Sequence, residues 1–226
     1  MGRPKLPRKS TFIDMTAMCD VAFLLLSFFI LTTKFKPAEA ITVETPNSVA
    51  SKVAPEKDVV LVTITKEGKV FLTLDDESIK ETIANEMNSN RTLGLTPQDI
   101  AAFKKAGFFG TSFSQLKQFL AIPADQLKGD ALPGIPCKDS TNNELTDWMR
   151  FIVTAYANAN AEGSRKKMNL LVKGDNASKY PEFKQVIQAF KKNDQFKFQM
   201  ITNPESIPPG TELYKKFIAG EKLSED

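Results

Sequence analysis

The pattern of apolar positions changes along this chain. It opens with one continuous apolar run, Met15 to Thr33 (MTAMCDVAFLLLSFFILTT), broken by a single charge at Asp20. A bilayer core needs on the order of 20 apolar residues in a helix rising about 1.5 Å per residue. Residues 12–35 meet that length and predict a transmembrane helix. Farther on, Val59 to Thr65 (VVLVTIT) and Val70 to Leu74 (VFLTL) are β-rich runs joined by a short turn containing Gly68, the pattern of a hairpin. Met168 to Lys173 and Phe196 to Thr202 read as two further strands.

Helical spacing appears in three places. Ile79, Ile83 and Met87 recur every fourth residue and predict a helix over 78–88. Thr141 with Glu144 forms a capping-box pattern before Leu145, Trp148, Met149, Ile152 and Tyr156, one apolar face that Gly163 ends. Phe183, Val186, Ile187 and Phe190 mark a helix over 181–192. Between about 90 and 140 the pattern breaks into short pieces, with Thr96-Pro97 as cap and first position, Gly107 as stop, and another piece near Ser114 to Ala121. This stretch is expected to be a partly ordered helical insertion that ends in the loop Gly129 to Asp139.

The fold class is therefore a single N-terminal transmembrane helix plus a small α+β domain, with one sheet, helices on one side and a helical insertion. The divisions are 1–11, a basic N-terminus; 12–35, the span; 36–57, a linker rich in Pro, Ser, Ala and Glu; 58–203, the domain; and 204–226, a polar tail with a helix near Glu212 to Ala219. Arg3, Lys5, Arg8 and Lys9 precede the span while Lys34 and Lys36 follow it, which places the N-terminus in the cytoplasm and the domain outside. A cleaved signal peptide ending at Ala38-Glu39-Ala40 is the competing reading. The apolar stretch is too long for it, and two lysines separate that stretch from the cleavage pattern.

Composition narrows the chemistry. The 30 basic and 27 acidic residues leave a net charge of +3, which gives no argument for nucleic acid. The count of histidines is 0, which removes imidazole metal sites, serine-histidine triads and imidazole proton shuttles, so a proton carrier here must be a carboxylate. No metal or cofactor is expected. Cys19 and Cys137 fall in different compartments and cannot pair with each other; Cys137 is free or pairs between chains. Asp75-Asp76 and the Lys173 to Asp175 segment are the polar groups an enzyme would use. Without histidine or a phosphate-cradling glycine loop, a turn is the simpler reading of the first.

Asp20 stands out because an ionisable residue at the centre of a spanning helix costs roughly 2.5 to 3.5 kcal/mol and usually faces a partner or a water path. Burial disfavours the charged form of a carboxylate, so an acid in an apolar helix can exchange a proton near neutral pH. Thr16, four residues before Asp20, and Ser27, seven after, share its face and form a candidate polar path. The alternative for Ser27 is a hydrogen bond to its own helix backbone.

Ile13, Thr16, Asp20 and Val21, followed by the apolar run, resemble the membrane helix of the ExbD/TolR family, whose usual pattern is I-x-x-T-P-x-x-D-V. Val43-Glu44-Thr45-Pro46 resembles the family's V-x-L-P stretch, Val59 to Leu74 its first hairpin, and Val172 to Asp175 with Phe198 to Thr202 its closing unit. Ala17 stands where the family has proline, and the insertion is absent from its short members.

The resemblance implies a subunit of an inner-membrane proton-driven motor, with Asp20 as the protonatable carboxylate and no enzymatic activity. The implied partners are a pentameric ExbB/TolQ-like ring, a TonB-like protein, a second copy of the chain and peptidoglycan. Phe196, Phe198 and Met200 on the closing strand form the candidate dimer edge. Energising outer-membrane transport, maintaining the envelope and driving surface motility remain competing outputs, beside a passive anchor that binds cell wall or protein.

Overall fold

The computed structural model describes residues 15–32, 41–49, 54–55, 57–123, 126–127, 129–138, 142–161, 163–206, 209–211, 214–215 and 218. The basic N-terminus, Ala38 to Ala40, Thr141 and most of the expected tail helix lie outside them. The chain divides into two units, Met1–Glu39 and Ala40–Asp226. In the first, helix α1 runs over Thr16–Thr32.

The second unit is a mixed four-stranded sheet with helices. Strand β2 (Val59–Ile64) pairs antiparallel with β3 (Val70–Leu74), in the register Val60 to Leu74 and Ile64 to Val70. The connecting turn is closed by the Gly68 amide on the Thr65 carbonyl at 2.9 Å, and Gly68 has φ +75, which a side chain would strain. Strand β4 (Asn169–Gly174) lies parallel to β2, and β5 (Gln199–Met200) parallel to β4, giving the order β3-β2-β4-β5. Parallel neighbours need a crossover; α6 (Tyr180–Lys191) supplies it between β4 and β5.

Alternation along the strands sends Val60, Val62, Ile64, Val70, Leu72, Leu170 and Val172 into the main core. There they meet Ile79, Ile83 and Met87 of α2 (Glu77–Arg91), Leu145, Trp148, Met149 and Ile152 of α5 (Glu144–Ala161), and Val186 and Phe190 of α6. Phe71 faces a smaller cluster with Ile41 and Phe108.

Asp76 begins α2 as its N-cap, accepting from the amides of Ser78 at 2.8 Å and Ile79 at 3.2 Å. Burial raises its pKa, but its bonds to Lys166, Ser78 and the helix amides outweigh that and hold the carboxyl at about 2. Thr96 caps α3 (Pro97–Lys105) and Pro97 opens it, as the sequence suggested, while Asp99 adds the return bond of a capping box that was not expected. The box expected at Thr141 falls on a residue outside the described ones. Helix α5 starts at Glu144, whose carboxylate accepts the Phe113 amide at 2.8 Å.

The segment expected as a partly ordered insertion is built into the core. Phe103 of α3, Phe109, Phe113 and Phe119 of α4 (Leu116–Leu120) are all buried. Ring centroids of Phe103, Phe109 and Phe113 lie 6.1, 5.2 and 5.3 Å from Trp148. Backbone bonds tie the same segment to the outer edge of β3: Leu72 and Phe109 exchange amides and carbonyls at 2.9 and 2.7 Å, and the Ile135 amide reaches the Val70 carbonyl at 2.8 Å. Gly110 permits this approach, since a Cβ there would fall 2.2 Å from the Phe71 ring.

The strand expected over Phe196 to Thr202 is reduced to Gln199–Met200. Beyond it the backbone changes partner. The Ile201 amide still reaches Val172, but the Asn203 amide bonds the Pro46 carbonyl, and β6 (Asn203–Pro204) pairs with β1 (Asn47–Ser48). Residues 41–49, within the stretch read as linker, thus lie along the domain.

Truncating Phe109 to alanine is expected to cost about 3 to 5 kcal/mol, because it opens a cavity beside Trp148. Urea unfolding of the full chain in detergent micelles measures it; a loss below about 1 kcal/mol would show that the segment is an appendage.

Candidate functional site

Helix α1 is apolar on every side, and none of its residues is buried by the chain itself. Phe23, Leu24, Phe28, Phe29 and Leu31 are all exposed. A helix of this kind is stable only where lipid or other helices cover it. Among the described residues, no helix is long and apolar enough to cross a membrane. The described part of the expected 12–35 span is the 17-residue helix Thr16–Thr32 with Met15 before it.

Asp20 lies in the second turn of α1 and is exposed, as is Thr16. Ser27 is half-buried, and its hydroxyl donates to the Leu24 carbonyl at 2.9 Å, three residues back along its own helix. Thr32 makes the same kind of bond to Phe28 at 2.8 Å. The polar positions thus share a face by helical geometry, while the Ser27 hydroxyl serves its own backbone.

In the second unit, β5 is the edge of the sheet left open among the described residues, since the β3 edge is occupied by Phe109 and Ile135. Phe196 is 67% and Met200 47% exposed. Phe198 instead turns inward, its ring 5.8 Å from Phe190. The three residues proposed for a dimer edge therefore divide into two outward side chains and one that anchors the strand.

The carboxylates that an enzyme would use have structural partners. Asp76 caps α2 and pairs with Lys166. Asp175 accepts from the Ala177 amide at 2.8 Å and the Glu44 amide at 3.2 Å, closing its own turn and holding the segment before β1. Among the described residues no group of three or more His, Cys, Asp or Glu side chains could hold a metal. Cys137 is free; burial pushes its thiol up to about 12 against a 3.4 Å bond to the Asn143 side chain, which makes it unreactive at neutral pH.

The docking of residues 41–49 was not legible beforehand. Besides the backbone bonds, the Thr45 hydroxyl donates to the Asn203 side chain at 2.8 Å, and Asn203 Nδ2 returns to the Thr45 carbonyl at 3.1 Å. The polar composition of the stretch hid it; Ile41, buried beside Phe71 and Phe108, and Val43, packed against the same cluster, anchor its start.

The family profile described as Biopolymer transport protein ExbD/TolR matches residues 7–205, which include α1, the sheet and the insertion. The chain belongs to the ExbD/TolR family. The Biopolymer transport protein ExbD of Aquifex aeolicus (strain VF5) is 30% identical over 109 residues, covering 47% of this chain and 80% of that protein. No solved structure matches. At the level of the ExbD/TolR family, the chain's role is biopolymer transport.

Proposed function

We propose that this ExbD/TolR chain is the carboxylate-bearing subunit of a proton-driven motor in the inner membrane, coupling proton entry to a TonB-like protein for outer-membrane transport. The observation that carries the reading is Asp20, the single charge in an all-round apolar helix, within a family match that spans the helix and the domain. Lipid covers most of α1, and a polytopic ExbB/TolQ-like ring covers the Asp20 face. The basic residues Arg3, Lys5, Arg8 and Lys9 keep the N-terminus in the cytoplasm.

Protonation of Asp20 removes its charge and frees the helix from its polar contact; release on the other side restores it. One charge crossing 100 mV is worth about 2.3 kcal/mol, so a few protons per step supply enough free energy to turn or shift a helix pair. No covalent chemistry is required of the chain. The domain's free edge serves a second copy: Phe196 and Met200 cover the partner strand while Phe198 fixes β5 to α6.

The substitution Asp20→Asn keeps a hydrogen-bonding side chain and removes the titration. It is expected to abolish proton-dependent import while co-purification of the ring complex stays normal. Full import with normal assembly would sink the motor reading and leave a passive, membrane-anchored binding module. For the edge, a photo-crosslinker at Gln199 is expected to yield covalent dimers in intact membranes, and finding only monomers would remove β5 as the interface.

A further inference from the structure

The insertion carries a cavity of about 240 Å³ between the end of α3 and the chain after α4, lined by Ala102, Lys105, Ala106, Phe119, Leu120 and Ile122 among others. Its floor is apolar and fixed: Phe119 is 2% and Leu120 8% exposed, whereas Ile122 at the rim is 40% exposed. Small-molecule pockets commonly enclose roughly 300–1,000 Å³. This groove is smaller and open, and suits an apolar side chain projecting from a protein segment.

Among the described residues that line the groove, Lys105 is the only charged one, and it forms no ion pair with another described residue. Its neighbour Lys104 is held by Glu81 at 2.8 Å, and Lys117 donates to the Gly94 carbonyl at 3.0 Å. A second cation lies beneath the wall. Lys80 is 6% exposed, and its ammonium donates to the carbonyls of Ala106 at 2.9 Å and Lys104 at 3.3 Å. Glu77, Asp75 and Asp76 act on Lys80 through space without a hydrogen bond to it. The carbonyls at the end of α3, which would otherwise repel an anion, are thus occupied by a buried ammonium.

We infer that this groove docks a segment of a partner protein in which a large apolar side chain is flanked by carboxylates. The apolar side chain fills the space over Phe119 and Leu120, and a carboxylate meets Lys105 at the rim. Such an anchor in a desolvated pocket with a charged rim is the arrangement that concentrates binding energy at protein interfaces. The site is built from residues of the insertion alone and uses neither Asp20 nor the β5 edge, so it gives this chain a further contact.

The test uses the full chain in lipid nanodiscs and fluorescence anisotropy. The probe is a fluorescein-labelled peptide with a Leu-Phe pair flanked by glutamates, beside a twin with lysines in their place. The acidic peptide is expected to bind at least about tenfold more tightly than its twin, and added salt to weaken it. Lys105→Glu and Ile122→Asp, both at exposed positions, are expected to weaken it by about tenfold or more each. Equal binding of the two peptides, or unchanged binding to Ile122→Asp, would overturn the proposal. Binding of decanoate with no binding of the acidic peptide would overturn it as well, assigning the groove to a lipid carboxylate.

Discussion

The shape of the second unit depends on one packing interaction: Trp148 of α5 set among Phe103, Phe109 and Phe113. Each ring buries a large apolar surface, worth about 1.5 to 3 kcal/mol for a side chain such as Phe. The cluster joins three separate stretches of the insertion to a helix of the sheet core. From it follow the closure of the β3 edge by Phe109, the fixed position of α3 and α4, and the groove those helices frame. With the β3 edge covered, β5 is the edge of the sheet left open among the described residues.

Local pattern disclosed the elements whose causes are local. The hairpin from Val59 to Leu74, helix α2 from its four-residue spacing, and the Thr96-Pro97 start of α3 all stand where periodicity and capping chemistry place them. What the sequence concealed were features made by distant residues meeting. Phe103, Phe109 and Phe113 follow no helix or strand period, so their common target was not visible. Phe196 to Thr202 reads as one strand by composition, yet the strand stops at Met200, opposite Val172 and short of the end of β4 at Gly174, and residues 46–48 take over as partner. Nor did the spacing of Glu144 show that its carboxylate would accept the amide of the distant Phe113.

The same division applies to function. Asp20 needed no structure to be noticed, because a lone carboxylate in an apolar run carries a large desolvation cost wherever the helix is covered. The groove in the insertion needed one. Ala102, Lys105 and Ala106 meet Phe119, Leu120 and Ile122 only after the chain has turned, and Lys80 is buried by the end of α3, far from it in sequence. The protein thus combines an apolar helix that carries a single carboxylate with a domain whose added segment is built into its core.

The central claim is that protons move by way of Asp20. Its most direct test is proton flux into liposomes holding the chain with its co-purified ring partner, under an imposed potential, for the native protein and Asp20→Asn. The account predicts flux in the native complex and background leakage in the variant. Equal flux through both would contradict it.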